Sequence, residues 1–175
     1  AIYCNGTLNI YGGMFTGNYG TNAGAIYGDS NSQINIYDGI VANNNGYYVG
    51  GVYSNCILNI YGGIYFNNVQ LETTILATNQ GGAVCYMNKN RDFNLYGGRF
   101  LYNVGKNGGG INIGAAKNAN IYNATIEFNQ SEVSGGGLAI HQVSQTNIYN
   151  IKMENNIALN SGGAIYSGIS SMALN

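Results

Sequence analysis

The chain of 175 residues has only 7% charged side chains and a net charge of −1, with 28 Gly, 16 Tyr and neither Pro nor Trp. So weak a positive field excludes the phosphate contacts on which nucleic-acid binding rests. Amide and hydroxyl groups must keep the surface wet, where ordinary soluble domains have roughly a quarter of their residues charged, and no apolar run is long enough for a membrane-spanning helix.

Each repeat opens on a glycine cluster followed by a small and an aliphatic residue. The copies are Gly24-Ala25-Ile26, Gly50-Gly51-Val52, Gly82-Ala83-Val84, Gly109-Gly110-Ile111, Gly136-Gly137-Leu138 and Gly163-Ala164-Ile165. Counted on the small residue from Ala1, the repeats are 24, 26, 32, 27, 27 and 27 residues long, about one solenoid coil each. The aliphatic residue begins a short predicted strand, as in Ala25-Ile26-Tyr27.

The next element is the phrase Leu8-Asn9-Ile10-Tyr11. It returns as Ile34-Asn35-Ile36-Tyr37, Leu58-Asn59-Ile60-Tyr61, Phe93-Asn94-Leu95-Tyr96, Ala119-Asn120-Ile121-Tyr122 and Thr146-Asn147-Ile148-Tyr149. Strict alternation means a strand, with Ile10, Ile36, Ile60, Leu95, Ile121 and Ile148 pointing inward and the Asn and Tyr columns outward. A glycine corner such as Gly12-Gly13 or Gly62-Gly63 leaves no room for a crossover helix.

Six residues after the Asn comes the centre of a third strand: Phe15, Val41, Tyr65, Phe100, Ile126 and Met153. Three residues further stands another Asn in every copy: Asn18, Asn44, Asn68, Asn103, Asn129 and Asn156. A stacked primary amide donates to one neighbouring coil and accepts from the other, so this column is predicted to be a structural ladder.

These elements predict an all-β fold: a single-stranded, right-handed parallel β-helix (solenoid) of about 6.5 coils of about 24–32 residues, with three short strands per coil. Residues 1–175 form one β-helix segment, and both ends read as cut from a longer solenoid. Coil 3 alone carries a loop insertion, within 69–80, whose Thr73-Thr74-Ile75-Leu76 is apolar enough to cover an edge.

Chemistry-bearing residues are few. Coil alignment sets Glu127 beside Glu154, with Lys152 two residues before Glu154 and Arg99 in Lys152's register; this is the candidate catalytic group for a carbohydrate-cleaving β-helix. Cys4, Cys56 and Cys85 form an odd set without paired spacing, which reads as free or packed thiols and not as a metal site. No cofactor motif occurs. The sequons give Asn5 and Asn123 as candidate glycosylation sites, whereas Asn129 belongs to the ladder column.

Phe15-Thr16-Gly17-Asn18, Phe100-Leu101-Tyr102-Asn103, Gly81-Gly82-Ala83-Val84 and Gly162-Gly163-Ala164-Ile165 are similar to the repeats of the chlamydial polymorphic outer-membrane proteins. That resemblance implies a β-helical, surface-exposed adhesin passenger. The expected function is a non-enzymatic extracellular or cell-surface segment, structural or adhesive, part of a surface protein or filament. The alternative is a carbohydrate-binding or carbohydrate-cleaving (pectate-lyase-like) β-helix. Tyr11, Tyr37, Tyr61, Tyr96, Tyr122 and Tyr149, beside Asn9, Asn35, Asn59, Asn94, Asn120 and Asn147, form the candidate binding surface. Expected partners are further coils or other subunits of the same protein, glycans or a cell-surface receptor, with no nucleic acid.

Overall fold

A computed structural model describes residues 2–72, 80–168 and 172–174. Within them every strand pairs in parallel with its counterpart one coil away, and the chain winds as a β-solenoid of about six turns. The pairings follow the predicted columns: Leu58-Asn59-Ile60 lies against Ile34-Asn35-Ile36 on one side and Phe93-Asn94-Leu95 on the other. Thr73-Thr74-Ile75-Leu76 lies outside the described residues.

Coils 1 to 4 each hold four strands, not the predicted three. In coil 2 they are Ile26–Gly28, Gln33–Ile36, Ile40–Ala42 and the two-residue Asn45–Gly46. The first two belong to one 12-stranded sheet, and the third and fourth each build a six-stranded sheet. The fourth strand was hidden in the sequence because two residues are too few to show alternation.

The two legs of the large sheet merge in coils 5 and 6, where Ile111–Tyr122 and Leu138–Tyr149 run as unbroken 12-residue strands. Earlier coils bend here at side-chain-capped turns. Asp29 Oδ1 accepts from the Asn31 amide at 3.0 Å, and Asn88 Oδ1 from the Asn90 amide at 3.1 Å.

The inward columns fill the tube. Ile36, Ile60, Leu95, Ile121, Val52, Val84, Ile111 and Leu138 are all buried, and Tyr65 stacks on Phe100 inside at 4.5 Å between ring centroids. Each such side chain contributes roughly 1.5–3 kcal/mol through burial. Backbones approach so closely at the glycine clusters that a Cβ on Gly24 would collide with the Gly50 carbonyl. That contact explains why the cluster recurs in every coil.

The inner ladder is fully bonded. Nδ2 of Asn18 donates to Oδ1 of Asn44 at 2.9 Å, and the pattern repeats through Asn68, Asn103, Asn129 and Asn156 at 2.9–3.0 Å. Each Oδ1 also accepts the backbone N–H of the preceding Asn, and each Nδ2 from Asn44 onward also reaches a carbonyl of the preceding coil, as Asn103 reaches Tyr65 at 2.9 Å. The residue before each ladder Asn has a left-handed backbone: Gly17, Asn43, Asn67, Tyr102, Phe128 and Asn155. Gly and Asn tolerate that conformation, whereas Tyr102 (φ 56°) and Phe128 (φ 57°) are strained by it.

Candidate functional site

The tyrosines of the predicted surface form one stacked file. Tyr11 stacks on Tyr37 at 4.9 Å, Tyr37 on Tyr61 at 4.8 Å, Tyr61 on Tyr96 at 5.1 Å and Tyr96 on Tyr122 at 6.1 Å, with interplanar angles of 6–14°. Tyr149 follows in backbone register with Tyr122 and is exposed. The rings are partly or largely exposed because the alternation that buries Ile60 turns Tyr61 out.

Beside them the asparagines bond to one another. Asn35 donates to Asn9, Asn59 to Asn35, Asn94 to Asn59, Asn120 to Asn94 and Asn147 to Asn120, all at 2.9–3.1 Å. The direction is from each later coil to the earlier one, opposite to the inner ladder. Each rung thus uses one amide donor and one acceptor internally, and the second N–H of each amide remains for a partner.

This geometry limits what the face can hold. Parallel rings less than about 5 Å apart cover one another's faces, so a sugar cannot stack on the inner rungs as it would on an isolated aromatic ring. What solvent meets is a comb of ring edges, phenolic hydroxyls and amides, repeated at the strand spacing of roughly 4.8 Å and carrying no charge. A second aromatic file that sequence reasoning missed, Tyr3, Tyr27 and Tyr53, runs along the first strands at 5.7 and 5.4 Å. Its signal was the Tyr that follows Ile2, Ile26 and Val52 in three successive coils.

The charged constellation is assembled as aligned: Glu127 pairs with Glu154 and Thr125 with Lys152 in backbone register, and Arg99 pairs with Thr125. Lys152 Nζ lies 2.5 Å from Glu127 and 3.0 Å from Glu154. These two carboxylates, Glu127 first, hold the ammonium above the ordinary lysine range. Glu127 is buried and the Lys152 ammonium bridges the two carboxylates, so a salt-bridged clamp stands where an acid and base would flank an open cleft.

Other candidate chemistry is dispersed. The thiols of Cys4, Cys56 and Cys85 are free and buried, and burial pushes those of Cys56 and Cys85 up, away from the reactive thiolate. No group of three or more His, Cys, Asp or Glu side chains gathers among the described residues. Asn5 and Asn123 are exposed, whereas Asn129 is buried in the inner ladder. Comparison with protein-family models, with curated proteins and with solved structures finds no match for this chain.

Proposed function

We propose that the chain is a non-enzymatic structural or adhesive β-solenoid segment of an extracellular or cell-surface protein, and that its tyrosine–asparagine face is the adhesive surface. The observation that carries this reading is the uncharged comb of Tyr11, Tyr37, Tyr61 and Tyr96, stacked at 4.8–5.1 Å beside the outer amide ladder. A flat partner with its own strand-spaced repeat, such as another subunit of the same protein, meets that comb in phase along its length. Aromatic rings with few rotatable bonds make such contacts at low entropic cost. The resemblance of the Phe-x-x-Asn and glycine-cluster motifs to chlamydial adhesin passengers supports the same assignment, as does the Lys152 clamp on Glu127 and Glu154.

Sedimentation velocity and solid-phase adhesion of the wild type and of a Tyr37→Ser/Tyr61→Ser/Tyr96→Ser variant test it. The variant is expected to keep its far-ultraviolet circular dichroism and to lose association and adhesion. Unchanged association would remove the face from the proposal. Turnover of a bound polysaccharide that Glu127→Gln or Glu154→Gln abolishes would overturn the non-enzymatic assignment.

A further inference from the structure

The corner between the first and second strands varies in length from coil to coil while the strands it joins stay in register. From Val52 to Leu58 is six positions in coil 3, against eight from Ile26 to Ile34 in coil 2 and nine from Val84 to Phe93 in coil 4. At these corners lies a depression of about 650 Å³ that runs along the solenoid, lined by Ser30 of coil 2, Asn55 of coil 3 and Asn88, Lys89, Asn90 and Arg91 of coil 4, and extending to Gln142 of coil 6.

Two of the six basic residues in the chain line this depression, and no carboxylate does. Among the described residues neither Lys89 nor Arg91 has an ion-pair partner. A third cation, Lys117, stands in the next coil, where its backbone N–H donates to the Arg91 carbonyl at 2.8 Å. Asp29 and Asp92 adjoin the lining residues Ser30 and Arg91 in sequence but do not line the depression: Asp29 accepts from the Tyr3 hydroxyl at 2.7 Å and the Ser32 hydroxyl at 2.9 Å, and Asp92 from the Asn118 amide at 2.9 Å. The remaining polar lining is hydroxyl and primary amide, the groups that bond sugar hydroxyls, and Met87 and Ala115 add apolar surface for the faces of sugar rings.

We propose that this depression binds an acidic saccharide, a chain of uronate or sulfated sugars lying along the solenoid axis. Arg91 supplies the planar fork that grips a carboxylate or sulfate through two N–H donors, and Lys89 a point charge beside it. Ser30, Asn55, Asn88 and Asn90 bond the hydroxyls between the charges. A neutral glycan is disfavoured because it would desolvate two cations without pairing them. The cavity volume falls within the range of small-ligand sites. The site shares no residue with the tyrosine face, so it stands or falls independently of the adhesive reading.

Isothermal titration calorimetry with a galacturonate hexasaccharide and a heparin-derived hexasaccharide tests the proposal and separates the carboxylate from the sulfate source. Maltohexaose and duplex DNA serve as controls. At least one acidic probe is expected to bind, with affinity falling about tenfold or more from about 50 to about 300 mM NaCl. Lys89→Gln/Arg91→Gln is expected to lower that affinity about tenfold or more, and Arg91→Lys by less, because it keeps the charge and loses the fork. The Tyr37→Ser/Tyr61→Ser/Tyr96→Ser variant should bind the saccharide normally. Failure of both acidic probes, equal affinity in the double variant with its melting temperature unchanged, or DNA binding as tight as the saccharide would each overturn the assignment.

Discussion

Nδ2 of Asn68 donates to Oδ1 of Asn103 at 3.0 Å although the two lie 35 positions apart, while the preceding rung, Asn44 to Asn68, closes at 2.9 Å over 24 positions. Rung geometry is therefore fixed while coil length is free. In coil 3 the pairing runs on past Val69–Gln70, where the Leu71 and Glu72 amides donate to the Gly46 and Tyr47 carbonyls at 2.9 Å, and Val69 still pairs with Val104.

Because Asn103 is fully buried and its side chain takes part in four hydrogen bonds, Asn103→Leu should cost about 3–5 kcal/mol, leaving several buried polar groups unpaired. Asn120→Leu removes only two rungs of a half-buried ladder and should cost about 1 kcal/mol. Urea denaturation of both variants checks the contrast; equal losses would mean that the inner ladder has no special weight.

Ile60 is fully buried, and Tyr61 next to it is 42% exposed. Ile60→Asn should cost about 2–5 kcal/mol by placing an amide among aliphatic side chains. Tyr61→Ser loses two ring contacts and should cost about 1–2 kcal/mol. The melting temperatures of the two variants should be clearly separated, and a match between them would contradict the facing of this strand.

Phe128 holds a left-handed backbone and stacks on Tyr102, itself left-handed, at 4.9 Å. The conformation costs a bulky residue roughly 1–2 kcal/mol, and the exposed ring pair returns less. Phe128→Asn should therefore stabilise the chain by about 0.5–1 kcal/mol, raising the melting temperature by roughly 1–4 °C. Asparagine already fills this column at Asn43 and Asn67, bonded to each other at 2.9 Å. A lower melting temperature would mean that the ring pair outweighs the strain.

Burial pushes the hydroxyls of Tyr65 and Tyr86 and the thiol of Cys85 far up. The folded chain keeps these protons where the unfolded chain releases them, roughly above pH 9 for the thiol and pH 10 for the phenols. Stability from these groups is thus fully present below that range and is lost as pH rises through it, by at most about 1.4 kcal/mol per pH unit for each group. Tyr65→Phe should flatten the decline, measured by chemical denaturation across the alkaline range, and an unchanged slope would show that Tyr65 ionises freely in the folded chain.

Most of the tube was legible because its strands are short and their alternation is unbroken: Leu58-Asn59-Ile60-Tyr61 states which side chains face in. The inner ladder was legible from the constant interval between Asn59 and Asn68, repeated in every coil. The left-handed column was not, since Tyr102 and Phe128 occupy positions that Gly or Asn would have signposted. Nor was the merging of two strands at Ile111–Tyr122, which follows from the loss of the turn-capping residues found at Asp29 and Asn88. The groove at Lys89 and Arg91 escaped notice for another reason: it depends on the difference between neighbouring corners, which no single repeat displays.

The two asparagine files point their amides in opposite senses, the inner one from Asn18 toward Asn156 and the outer one from Asn147 toward Asn9. An aligned stack of side-chain dipoles would on its own build a field along the axis, as peptide units do in a helix. Two antiparallel stacks of similar length largely cancel. Every added coil contributes one amide to each file, so the architecture can be lengthened without polarising the tube, and an assembly of many coils needs no counter-charges at its ends.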